Sequence, residues 1–164
     1  MATQLMLRPG QRAWLKAWGK RDDWIDENDV LFTNKREKLN FARRPASLAI
    51  GDIIVVYAVG WGNLLAVTEA IGEPERMTDA ELRRWPWSVE VRNLVPGLGS
   101  KWRDNGLILF ALRDTFIERH PNAGVSQWGS NNFHGIQGGH MRLSRRFGGY
   151  LLHAVSASGA TVVR

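Results

Sequence analysis

One block of sequence, Leu48 to Pro74, constrains this chain more than any other. Ile53–Val59 is a run of β-branched and apolar residues with a single polar tip, Tyr57, and no surface position within it. A run of that length is strand-sized, and with no alternating polar residues it must be covered on both faces. Gly51-Asp52 marks a turn before it, Gly60–Asn63 a tight turn after it, and Leu64–Ile71 a returning strand. The block predicts a β-hairpin inside a packed core.

Around this hairpin the signals are mixed. Trp87 to Val95 alternates apolar and polar residues and ends at Pro96-Gly97, which predicts a half-buried strand. Leu107–Leu112 predicts another strand, Asp114–Glu118 a helical turn, and Leu143–Ala154 a closing helix capped by Ser144 and weakened by Gly148 and Gly149. Thr78–Arg84 predicts a short helix, with Thr78 as its cap, Glu81 at capping-box spacing and Pro86 as its stop. Residues 121–140 are irregular and rich in Gly.

Toward the N-terminus, residues 9–21 predict a helix: Pro9 suits a first turn, and Trp14 and Trp18 share one side at i, i+4. Arg12, Lys16 and Lys20 then form an opposing basic stripe, a solvated face over a packed one. Arg21–Asp29 reads as an acidic loop and Val30–Phe32 as a short extended segment; Lys38, Arg43 and Arg44 lead to Pro45 through a loop or broken helix. The expected class is α+β, one domain over 1–164 with an N-terminal helical extension over about 9–24.

Composition enters by exclusion. At 164 residues, 44% hydrophobic and 23% charged, the chain has the size and balance of one cooperative core, not of a disordered or collagen-like chain. It holds no cysteine, which closes disulfide scaffolds, thiolate zinc sites and cysteine nucleophiles. No apolar run approaches the ~18–20 residues of a membrane span, and no signal-type cleavage site follows Leu5–Leu7, so a cytoplasmic location with no membrane partner is expected.

Catalytic signatures fail one by one. Gly99-Ser100-Lys101-Trp102 lacks the first Gly and the final hydroxyl of a phosphate loop, and Gly124-Val-Ser126-Gln-Trp128 lacks the second Gly of a nucleophile elbow. His120, His134, His140 and His153 match no compact metal motif. No catalytic residue, metal or cofactor is assigned. What stands out is a charge of +6, from 22 Lys and Arg against 16 Asp and Glu, together with eight Trp. Such a surplus of indole rings serves either an aromatic core or a stacking surface.

The motifs Gly51-Asp52 with Tyr57, Leu64-Leu-Ala-Val-Thr-Glu-Ala-Ile-Gly-Glu-Pro74 and Trp87-Ser-Val-Glu-Val-Arg92 resemble the EVE domain of the PUA-like superfamily, related to YTH domains. The resemblance covers about residues 46–95 well and is suggestive over 106–155. It implies a small β-barrel of about five or six strands packed by helices. It also implies an aromatic pocket for a base flipped out of DNA or RNA, often a modified, for example methylated, one.

By position, Tyr57, Trp61, Trp87 and, as its local alternative, Trp85 would line that pocket. If Val30–Thr33 is the family's first strand, Asn34 and Lys35 lie near the pocket mouth; Lys35, Arg36, Arg43 and Arg44 would hold phosphates outside. Plain readings stand beside these. Trp87 serves core or cage equally, Tyr57 can hydrogen-bond inside the sheet, Asn34 can cap a turn, and only Trp61, between two glycines, favours an open place. Two further functions remain: a small RNA-cleaving or RNA-modifying enzyme of the ASCH type, drawing on Lys35, Tyr57 and Asp52, and a module for a small ligand or partner protein.

Overall fold

The computed structural model describes residues 4–19, 25–78, 84–133, 136 and 139–163. The chain is α+β. Among the described residues seven strands form one mixed sheet: β1 (Ala13–Trp18), β2 (Arg36–Phe41), β3 (Ile53–Ala58), β4 (Leu64–Ala70), β5 (Glu75–Arg76), β6 (Trp87–Asn93) and β7 (His140–Arg142). The order is β2-β6-β4-β3-β1-β7, with β5 added beside β6. Among the described residues the α-helices are α1 (Pro96–Ser100), α2 (Leu109–Arg119) and α3 (Arg145–Ala157).

The hairpin forms as its sequence demands. β3 pairs antiparallel with β4 on one side and parallel with β1 on the other, so the apolar run is bonded along both edges and covered on both faces. The sheet curls into a half-barrel. Phe41 on β2 and His140 on β7 belong to the two ends of the strand order, yet their rings stand 5.2 Å apart, edge to face. Among the described residues no ladder joins β2 to β7, and this ring contact spans the seam between them.

Alternation along the strands sorts the interior into two clusters. Ala13, Leu15 and Ala17 of β1 and Ile53, Val55 and Tyr57 of β3 face a layer made by Phe116 of α2 and Phe147, Leu151 and Val155 of α3. Trp14 of β1, Ile54, Val56 and Ala58 of β3, Leu39 and Phe41 of β2 and Val89 and Val91 of β6 face the concave side with Trp102. α3 starts as expected at Ser144, whose hydroxyl accepts from the Phe147 N–H at 3.1 Å. Gly148 is the reason the helix lies so close to β1: a Cβ there would stand 2.5 Å from the Ala13 Cβ.

Four expectations are corrected. Residues 13–18 of the predicted N-terminal helix are strand β1, and the helical extension over about 9–24 does not form within its described residues, 9–19. The i, i+4 spacing of Trp14 and Trp18 also satisfies a strand, in which i, i+2 and i+4 share a face; parallel pairing with β3 selects the strand. Lys38 lies in β2, not in a broken helix, because Leu39 and Phe41 alternate with polar neighbours. The run Leu107–Leu112 is not a strand: α2 begins at Leu109 and absorbs the expected turn at Asp114–Glu118. Val30–Thr33 is not a strand either, and Phe32 has a positive φ of 53°. The helix expected over Thr78–Arg84 falls on 79–83, outside the described residues.

Candidate functional site

Strand alternation decides what happens to Lys16. A helix would have put it opposite the Trp pair, whereas β1 puts Trp14, Lys16 and Trp18 on the same concave face. Lys16 is 2% exposed. Its Nζ stands 4.8 Å from the Phe41 ring centre, 5.2 Å from that of Trp85 and 6.0 Å from that of Trp18. It donates one hydrogen bond, to the Ala17 carbonyl at 3.2 Å, and among the described residues no carboxylate pairs with it. Burial lowers its pKa from the ordinary 10.5 to about 8. An aromatic box therefore encloses an ammonium that loses its proton far more easily than a surface lysine.

Beside the box, the Gly51-Asp52 turn acts as a clamp. Asp52 Oδ2 accepts from the Trp14 indole N–H and from the Ala49 N–H, both at 3.0 Å, while Oδ1 accepts from the Arg12 N–H at 3.2 Å. The Arg12 guanidinium lies 3.5 Å from the same carboxylate. The Trp14 ring is thereby fixed in orientation.

Trp14 forms one wall of a groove of about 460 Å³ at the seam. Arg43, Arg44 and Ala46, just beyond β2, line one bank; Ser126, Gln127, Trp128 and Ser130 line the other; His140, Met141 and Arg142 of β7 complete it. The Ser126 hydroxyl accepts from the N–H groups of Trp128 at 3.3 Å and Ser130 at 3.0 Å, which closes a tight loop and holds Trp128 outward, 86% exposed. Among the described residues no carboxylate lines the groove. Arg8, Arg12, Arg36, Arg92, Arg103 and Arg113 each pair with a carboxylate, whereas Arg43, Arg44 and Arg142, like Arg76, Arg84, Arg119, Arg145 and Arg146 elsewhere, have no such pairing among the described residues. Arg44 instead lies over the Trp87 ring at 5.4 Å, with Arg76 at 5.9 Å from the same ring.

The residues singled out from sequence separate into groups. Arg43 and Arg44 reach the groove, Trp87 supports Arg44, and Trp85 forms part of the lysine box. Tyr57 lies in the opposite cluster, packed edge-on against Phe110 at 6.2 Å, and burial raises its pKa. Trp61 donates to the Ile25 carbonyl at 2.8 Å and packs against Trp102, with Arg103 over its ring. Thus Tyr57, Trp61 and Trp87 do not meet ring to ring. Asn34, Lys35 and Arg36 are exposed before and at the start of β2; Asn34 donates its backbone N–H to Glu37, and Arg36 pairs with Glu90 at 3.8 Å.

The set Lys35, Tyr57 and Asp52 is likewise not assembled: Lys35 is exposed, Tyr57 is in the helix-covered cluster, and Asp52 is engaged by Trp14 and Arg12. Sequence reasoning missed Lys16, Trp14, Trp128, His140 and Arg142 as site residues. Only the strand period of 14, 16 and 18 could have signalled the first two. Among the described residues, no three His, Asp or Glu side chains gather as metal ligands, and no helix is long and apolar enough to cross a membrane.

No family model matches the chain. No curated protein sequence matches it either. Among solved structures the chain is similar to a hypothetical protein from Leishmania major, with a TM-score of 0.51 and 15% identity over 87% of this chain and 91% of that one. At that identity the likeness concerns the fold alone: nearly the whole α+β half-barrel has a counterpart in another chain.

Proposed function

We propose that this chain is a nucleic-acid-binding module of the EVE-like type, a reader that accepts a flipped base, modified bases included, at the seam of its half-barrel. The observation that carries the reading is a convergence: Arg43, Arg44 and Arg142, none paired with a carboxylate among the described residues, line one groove that also bears an exposed indole. Guanidiniums in such a groove suit phosphate oxygens, to which they donate in pairs. Trp128 offers a face on which a base stacks whatever its sequence. Trp14 and His140 form an aromatic wall for a base turned inward, and a space of about 460 Å³ lies in the range of ligand sites.

Anisotropy titration of labelled single- and double-stranded oligonucleotides, methylated and unmodified, between 50 and 200 mM salt tests this. Contacts to three phosphates give a slope of about −2 in log K against log salt for a single strand. Replacing Arg43, Arg44 and Arg142 together by Ala should remove most of that slope. Absence of salt-dependent binding to any of these oligonucleotides would overturn the reading.

A further inference from the structure

Arg142 of β7 lines a second space as well as the groove, a cleft of about 300 Å³. Three of the seven residues lining that cleft are arginines, namely Arg12, Arg142 and Arg145, and Gly10 and Gln11 line it too. The two spaces are held in register by the same local structure. Arg142 is the cross-strand partner of Trp14, a groove wall, and the N–H of Leu143 beside it donates to the Ala13 carbonyl at 2.9 Å. One carboxylate, Asp52, holds a side chain of each space: it accepts from the Trp14 indole at 3.0 Å and lies 3.5 Å from the Arg12 guanidinium. Arg145 is fixed as well. Its guanidinium donates to the carbonyls of Gln11 at 2.8 Å, Arg8 at 2.9 Å and Leu7 at 3.2 Å. Those bonds use three of the five N–H donors of a guanidinium, so the group is oriented in advance and loses little freedom when an anion arrives.

We infer that the ligand is a single strand occupying both spaces, with a base turned into the groove and a neighbouring backbone phosphate in the second cleft, on Arg12 and Arg145. This rests on the nucleic-acid reading above and names its substrate class together with a second phosphate subsite. A backbone passing over Arg142 is in contact with both spaces, because that one side chain lines both. A single strand can turn at each nucleotide to follow such a path, whereas a duplex is stiff over far longer distances and bends only at a cost. The exposed Trp128 indole points to the same class: an unpaired base can leave its neighbours and stack on the ring, while a base stacked within a duplex cannot.

The test compares anisotropy titrations of a mixed-sequence single strand of about six nucleotides, its central dinucleotide alone and a duplex containing the same sequence. The strand should bind more tightly than either, by about fivefold or more, with a salt slope steeper than that of the dinucleotide by about 0.7 for each phosphate the cleft holds. Arg145→Gln keeps an amide donor for the carbonyls of residues 7–11 and removes the charge, and should make the slope of the strand shallower by about 0.7. Gly10 offers a variant pair that removes no side-chain contact: its φ is 81°, which Asn and Asp tolerate better than most side chains, and a Cβ there meets nothing within 4 Å. Gly10→Asp should bind the strand several-fold more weakly than Gly10→Asn at low salt, and the two should converge as salt screens the added charge. The inference is overturned if the dinucleotide or the duplex binds as tightly as the strand, if the two Gly10 variants bind alike, or if Arg145→Gln melts like the wild type and keeps its slope. Salt-dependent binding that still needs Arg43 and Arg44 would then leave the broader reading standing. If none of the oligonucleotides binds, both fall together.

Discussion

Two faces of one sheet, built from alternate residues of the same strands, differ sharply in chemistry. The helix-covered face is closed by Phe and aliphatic side chains from α2 and α3, and among the described residues no Trp lies in its cluster. The concave face holds Trp14 and Trp102, borders Trp18, Trp61 and Trp87, and encloses Lys16. Indole packs well only where its N–H finds an acceptor, and the concave side supplies the Asp52 carboxylate for Trp14 and the backbone carbonyls of Asp29 for Trp102 and Ile25 for Trp61. One face is organised to be stable. The other encloses a buried ammonium and borders the groove.

That contrast can be broken by mutation. The largest effect belongs to the closed face: Phe147→Ala removes a fully buried ring packed on Phe116, and should cost about 3–5 kcal/mol by chemical denaturation. Oligonucleotide affinity, measured where the variant remains folded, should stay within about twofold.

Lys16→Met should act in the opposite direction. The folded pKa of Lys16, about 8, lies below its unfolded value of 10.5, so charging it penalises the folded state fully below pH 8, by roughly 3 kcal/mol. As pH rises from 8 toward 10.5 the unfolded chain holds the proton more tightly, and wild-type stability therefore climbs across that window. Lys16→Met should gain stability at pH 7 and lose the climb; a variant no more stable than wild type at pH 7 would show that the ammonium is not paying a desolvation penalty.

Gly148→Ala sharpens the comparison from the helix side. The added methyl meets Ala13 at 2.5 Å and should cost about 1–3 kcal/mol as α3 is pushed off β1, which thermal denaturation reads. The smallest change in stability belongs to Trp128→Ala, within about 0.5 kcal/mol, because the ring is exposed. Its binding loss should nonetheless reach about fivefold or more if a base stacks there, and an unchanged affinity would remove Trp128 from the interface.

The hairpin of β3 and β4, strand β6 and helix α3 were legible because short-range patterns fix them: a β-branched run, a period of two, a serine cap. Strand β1 was not, since its two Trp satisfy both periods and only pairing with β3, some forty residues away, decides between them. Lys16 was misread for the same reason, as solvated charge instead of a box occupant. The Leu107–Leu112 run looks extended in isolation, but Leu109 and Phe116 of α2 find their partners across the sheet. Arg43 and Arg44 could be named from local charge, but not their meeting with Trp128 and Arg142, because only the curl of the sheet brings those segments together.

Among the described strands β2 pairs only with β6 and β7 only with β1, so β2 and β7 stand at the two margins of the sheet, although the Arg142 carbonyl of β7 also accepts from the Gln127 N–H at 3.2 Å. Amide protons of these two strands should consequently take up deuterium ahead of those in β3 and β4, and a strand of nucleic acid lying across Arg43 and Arg142 would slow that uptake by stapling the two margins to each other.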